Sequence, residues 1–184
     1  MRLTARDETH WGRELLTNDH DRITVEIGDI QSHVRIDRGV WIARTKRSLA
    51  ALGVDRGAIS IVFVDDATIR EINNKQLGHD WATDVVTFPI SEPGAEPLEG
   101  EIVISTQTAV AWAREENGDP DRELELYLVH GLLHLLGYDD GAEEDVARMR
   151  LRERELLNDR SELDLAAAAS VDSATDEERS SWGV

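Results

Sequence analysis

At 184 residues, with 40% hydrophobic and 32% charged content, the chain suits one soluble globular domain with a single substantial core. No run approaches the roughly 20 apolar residues of a membrane span, the first residues lack the apolar block of a signal peptide, and the absence of cysteine excludes disulfides and thiolate metal sites. A cytoplasmic protein is therefore expected, any metal falls to His, Asp or Glu, and a formal net charge of −18 argues against indiscriminate binding to nucleic acid.

Residues 1 to 20 are polar and irregular and read as a poorly ordered extension. Ile23, Val25 and Ile27 alternate with polar neighbours, the period of a half-buried strand. Val40 to Ala43, then Leu49, Ala50 and Leu52, read as an amphipathic helix stopped by Gly53. Ile59 to Val64 is a β-branched run and hence a core strand, after which Asp65 or Asp66 caps a helix carrying Ile69 and Ile72 on one face. Thr83 to Phe88 reads as a strand ending at Pro89. A loop from Ser91 to Pro97 leads into a further strand from Gly100 to Ser105. Ser105 can cap a helix through Ala109 to Trp112, stopped by Gly118. Asp119-Pro120 marks the next start, a capping side chain before a proline in the first helical position. That helix carries Leu124, Leu128, Leu132 and Leu135, is apolar on most sides, and ends at Gly137.

A last helix runs from about Glu143 to Asn158 with Val146, Met149, Leu156 and Leu157 inward. Residues 159 to 184 read as an acidic, disordered tail, leaving a single domain over residues 21 to 158. The expected architecture is α+β, a small mixed sheet of about four strands covered by about five helices. Two basic runs interrupt the acidity: Arg35, Arg38, Arg44, Lys46, Arg47 and Arg56, and later Arg148, Arg150, Arg152 and Arg154 among acids. Each reads either as a solvated helix face or as a local track for phosphates.

His130 and His134 stand four apart on this apolar helix, so both imidazoles project from one face and can reach one ion. Two unpaired imidazoles on such a helix need a reason to be buried. Gly137 turns the chain back, and Asp139 and Asp140 arrive where a third ligand is needed. The spacing is close to that of metzincin proteases, but Gly131 stands where those enzymes carry their general-base Glu, which disfavours a peptidase.

From His130 to Asp140 the chain resembles the signature His-Gly-x-Leu-His-Leu-x-Gly-Tyr-Asp-His of the YbeY family, departing only at the last position. Thr83-Asp-Val-Val-Thr-Phe-Pro89 is similar to that family's Thr-Asp-Val-Leu-Ser-Phe-Pro, and Gly100-Glu-Ile-Val-Ile-Ser105 to its Gly-Asp-Ile-x-Ile-Ser. The resemblance implies a metal-dependent endoribonuclease specific for single strands, acting in 3′-end maturation of small-subunit rRNA and in ribosome quality control. It implies single-stranded RNA and the ribosomal small subunit as partners, with neither membrane nor DNA. Register makes His130, His134 and Asp140 the ligands, with Asp139 as the alternative to Asp140. A carboxylate in place of the family's third histidine lowers the site's charge from about +2 to about +1, and admits Mn or Fe beside zinc. Leu77 stands where the family has an arginine, and Ala82 where it has a proline; Lys75 or His79 could restore the lost positive charge.

Asp84 could orient a ligand histidine or simply bond to backbone at its strand end. Tyr138 could stack on a base or pack over the turn, and Trp81 could serve as a stacking platform for RNA or anchor a loop. With no obvious fourth protein ligand, the site is expected to be open, with zinc as its single ion. Two other functions stay open: a non-enzymatic assembly factor stiffened by metal, and a metallohydrolase of peptides or other small substrates.

Overall fold

Short runs of branched residues make the strands, and capped stretches of helix formers connect them. The computed structural model describes residues 23–158; the expected N-terminal extension and acidic tail lie outside the described residues. In chain order come β1 (Ile23–Asp29), α1 (Arg38–Ala51), β2 (Gly57–Val64), α2 (Asp66–Leu77), β3 (Val85–Pro89), β4 (Leu98–Ser105), α3 (Thr106–Glu115) and α4 (Pro120–Leu135). A fifth helix, α5, covers residues 143–158.

The four strands form one sheet in the order β1-β2-β4-β3, with β1, β2 and β4 parallel and β3 antiparallel to β4. Parallel neighbours cannot be joined by a tight turn. Thus α1 carries the chain from β1 to β2, and α2 with β3 carries it from β2 to β4. This leaves β3 on the sheet edge, registered from Val85 opposite Ile104 to Pro89 opposite Gly100. The architecture is α+β, a four-stranded mixed sheet with five helices.

Strand alternation divides the apolar residues between two layers. Ile59, Ile61 and Phe63 of β2 and Ile102 and Ile104 of β4 meet Trp41 and Leu49 of α1 and Leu124, Leu128 and Leu132 of α4. Val64 and Val103 point the other way and pack with Ile69 of α2 and Val86 of β3. Each fully buried aliphatic side chain contributes on the order of 1.5–3 kcal/mol. Covering both faces explains why β2 ends in a continuous apolar run, Ile61 to Val64, rather than an alternating one. Helix α5 closes the site end of α4, with Met149 packed on Val129 and Leu133.

Helix α4 lies unusually close to β4. A Cβ at Gly131 would sit 2.7 Å from Ile102 Cγ2, and one at Gly100 would sit 2.4 Å from a Leu135 methyl. The glycine that removes a general base from the motif thus sets how deeply the histidine helix is seated.

Some surface expectations change. Arg44 is not part of a basic track: it is buried, bonds Asp121 of α4 and lies 4.6 Å over the Trp41 ring. Arg148 and Arg152 pair with Asp145 and Glu155 of their own helix, at 2.5 and 2.8 Å. Ala109 and Ala113 form the buried side of α3, and Trp112 faces outward. At α2 the cap is Asp65, which accepts from Thr68 N. Asp66 is then free to accept from the hydroxyls of Ser105 and Thr108. No helix among the described residues is long and apolar enough to cross a membrane.

Candidate metal centre

Asp119 caps α4 and Pro120 opens it, so the helix is committed before the histidines are reached. Its far end is closed by paired bonds: Gly137 N donates to the His134 carbonyl, and Tyr138 N donates to the Leu133 carbonyl. Closure of this kind needs a left-handed residue after the cap, and Gly137 supplies it with φ 87°. The chain then doubles back along the histidine face. Asp139 turns its carboxylate onto the backbone N–H groups of Asp140 and Gly141, at 2.8 and 3.3 Å. Asp139 is spent on the turn, and Asp140 is the residue carried to the histidines.

The Nδ1 atoms settle the tautomers. His134 Nδ1 lies 3.1 Å from the Tyr138 carbonyl oxygen, which can only accept, so that nitrogen donates. His130 Nδ1 lies 2.7 Å from Glu153 Oε1 on α5 and donates to a carboxylate. With both rings neutral, the Nε2 atoms present lone pairs, and they face each other at 2.9 Å. Asp140 Oδ2 completes the group at 3.8 Å from His130 Nε2 and 4.0 Å from His134 Nε2. Three electron-pair donors within 4.8 Å of one another make a group that can hold a metal ion. Two imidazole lone pairs pointed together are stable only with a cation or a proton between them, so the donor set fits a divalent ion. Burial pulls the His130 pKa down, but the Glu153 carboxylate bonded to it, with Asp84 and Asp140 nearby, outweighs burial and raises it.

Two clefts meet at this cluster, sharing Asp84, His130 and Asp140. One, of about 440 Å³, runs along β3 and takes in His134, Asn73, His79, Trp81 and Thr83. The other, of about 510 Å³, lies under α3 and α5, with Trp112, Tyr127, Met149 and Arg150 in its wall. Tyr127 is held protonated there: burial, then the charges of Asp84, Glu123 and Asp66, push its pKa up.

The other residues singled out in the sequence fall in different places. Asp84 stands at the junction of the clefts, but its Oδ1 accepts from Thr83 Oγ1 and Val85 N, at 2.9 and 2.8 Å, while the histidine Nδ1 atoms bond Glu153 and Tyr138. His79 and Trp81 line the β3-side cleft. Lys75 does not; its ammonium bonds Glu71 one turn back on α2, at 2.5 Å. Tyr138 packs with the cluster of Val129, Leu133 and Met149. Glu153 went unnoticed in the sequence. Its signal was an acid one helical turn after the inward Met149, on the face that α5 buries, where it is 9% exposed.

Comparison with known proteins identifies the family of the chain. The family model described as Endoribonuclease YbeY matches residues 24–161. The chain is 49% identical over 125 residues to the Endoribonuclease YbeY of Anaeromyxobacter sp. (strain Fw109-5), covering 65% of each chain. It is 41% identical over 138 residues to that of Rhodopirellula baltica (strain DSM 10527 / NCIMB 13988 / SH1), covering 67% of this chain and 70% of that one. Against the Anaeromyxobacter dehalogenans (strain 2CP-C) relative, at 47% identity, it covers 62% of itself and 60% of the relative, so it spans less than two thirds of the first two relatives' lengths. The solution structure of TM1509 from Thermotoga maritima shares the fold, with a TM-score of 0.51 at 24% identity over 76% of this chain and 92% of that one. From the family model's match over most of the domain, together with the three relatives, it follows that the chain belongs to the YbeY family.

Proposed function

We propose that the protein is a metal-dependent endoribonuclease that cleaves single-stranded RNA, with His130, His134 and Asp140 as the ligands of one zinc ion. The observation that carries this reading is the facing pair of Nε2 lone pairs at 2.9 Å, closed by Asp140 on the open side. A divalent ion held there supplies Lewis acidity toward a phosphate oxygen and lowers the pKa of water in contact with it.

The chain's own residues prepare the centre. Glu153 holds the His130 ring and makes it more basic, as partners behind ligand histidines do elsewhere. The Tyr138 carbonyl holds the His134 ring without adding a charge. Asp84 acts through its field rather than through a bond, adding negative charge where both clefts meet. Asp140 is half exposed, which leaves the solvent side of the cluster open to a phosphodiester. A ligand oxygen at that position admits Mn or Fe as well as zinc.

By membership of the family, the proposed substrate is RNA and the proposed setting is small-subunit rRNA 3′-end maturation in the cytoplasm, on or beside the ribosomal small subunit. The test combines elemental analysis of the purified protein with cleavage of single- and double-stranded RNA. One bound ion per chain, with single-strand cleavage abolished by chelation and by Asp140→Ala, is the expected result. Undiminished cleavage by metal-free protein would overturn the metal reading. RNA binding without cleavage in any of the three metals would leave a metal-stiffened assembly factor instead.

A further inference from the structure

Resting on the endoribonuclease reading, we propose that the stacked His79–Trp81 pair is the nucleobase platform of the site, seating the base beside the scissile phosphate in the β3-side cleft. Trp81 is 58% exposed, whereas Trp41 in the core is 2% exposed. A tryptophan that merely anchored its loop would be buried like Trp41. The Trp81 indole instead lies flat against the His79 imidazole, with ring centroids 4.5 Å apart and an interplanar angle of 14°. His79 covers one indole face, and more than half of the residue's surface stays exposed.

The segment carrying this pair is held firmly. Buried Asn73 donates to the Trp81 carbonyl at 3.0 Å. Arg70 grips the Asp80 carboxylate with two bonds, at 2.8 and 3.0 Å. A platform immobilised before the ligand arrives loses little side-chain freedom on binding.

Placement supplies the occupant. The cleft that holds the pair also holds His130, His134 and Asp140, so a phosphate at the ion leaves its nucleotide next to the indole. Besides Asp84, its remaining walls mix neutral polar groups (Asn73, Thr83, Thr87) with short apolar ones, which suits a base and its sugar. The opposite cleft also bears an exposed tryptophan, Trp112, but beyond the shared Asp84 and Asp140 it adds Glu123 and Glu153 against the single cation Arg150, whereas the β3-side cleft adds no further carboxylate. A polyanion is repelled more strongly there. The strand therefore enters along β3, and the platform reads a base through its π-face, favouring purines by area and no base by hydrogen bonding.

The experiment uses the full-length, metal-loaded protein and single-stranded oligoribonucleotides in which one abasic residue is walked along the sequence. At one position relative to the cut, the abasic substitution is expected to lower kcat/KM of the unaltered protein by about 5- to 150-fold. Trp81→Ala should impose the same loss on unmodified RNA and become indifferent to the abasic residue there, while Trp81→Phe retains most activity. Metal content should be unchanged in both variants. Additive losses, or a Trp81→Ala protein as active as the original, would overturn the platform. If no RNA is cut at all, the endoribonuclease reading fails, and the platform is read separately. A 2′-O-methyl oligonucleotide should quench tryptophan emission in the unaltered protein and in Trp112→Phe, but much less in Trp81→Phe. Equal quenching in all three, or binding with no quenching, would sink the platform whatever the catalytic result.

Discussion

The two histidines sit one turn apart on one helix, yet they are held by regions of different kinds. His134 is fixed by its own helix end: its Nδ1 meets the carbonyl of Tyr138, four residues on. His130 is fixed from a distance, by Glu153 on α5, 23 residues away. The local partner is a neutral dipole whose position follows from a helix-ending turn. The distant one is a nearly buried carboxylate, which carries charge and depends on α5 docking against α4. The difference teaches that a two-histidine centre can be half local and half tertiary, with its basicity set by the tertiary half.

The strongest way to break the comparison is to remove either ring. His130→Ala and His134→Ala should each lose the ion and essentially all cleavage, measured by metal content and RNA cleavage. The next separates the two halves. Glu153→Ala should weaken metal affinity about 10- to 100-fold, read by chelator competition, while leaving the helix end intact. Gly131→Ala disturbs both histidines together. Its new methyl meets Ile102 at 2.7 Å and should cost about 1–3 kcal/mol by denaturant unfolding. Gly137→Ala attacks only the local half. Forcing a Cβ into φ 87° should cost about 1–2 kcal/mol and displace the Tyr138 carbonyl from His134.

The smallest effects are electrostatic. In the metal-stripped protein, the raised His130 pKa means that the Glu153 contact contributes stability fully present below the ordinary value of 6.5 and lost as pH rises through the folded value. Glu153→Gln should flatten that segment of the stability–pH curve, and an unchanged curve would show that the carboxylate does not govern His130. The Arg70 bond and charge lower the Asp80 pKa in the folded state. Its contribution is present above 3.8 and vanishes as pH falls through the folded value. Asp80→Asn should therefore cost a little thermal stability at neutral pH and nothing in strong acid.

Much of the fold could be read along the chain because its signals are short-range. Asp119-Pro120 starts α4, Gly137 ends it, and the four-residue spacing of His130 and His134 puts both rings on one face whatever the rest of the chain does. Glycine at position 137 also brings the following aspartates back toward that face, since a left-handed residue after a helix end reverses the chain. Three things lay beyond that reach. Which carboxylate faces the rings, favoured as Asp140 by the family register but left open by local signals, turns on Asp139 being captured by the backbone N–H groups. The burial of Arg44 depends on Asp121 lying across from it on α4.

The third concerns the tryptophans. Trp41, Trp81 and Trp112 share one side chain, yet one fills the core and two stand exposed in separate clefts beside the histidine cluster. By itself the sequence determined the helix, the pair of imidazoles and the turn behind them, because backbone bonds and caps act over about four residues. Only the tertiary structure decided that Glu153 stands behind His130, that β3 is inserted at the sheet edge, and that one of the two clefts gathers two more carboxylates than the other. Contacts between segments far apart in the chain depend on how whole elements pack, and no local rule encodes that packing.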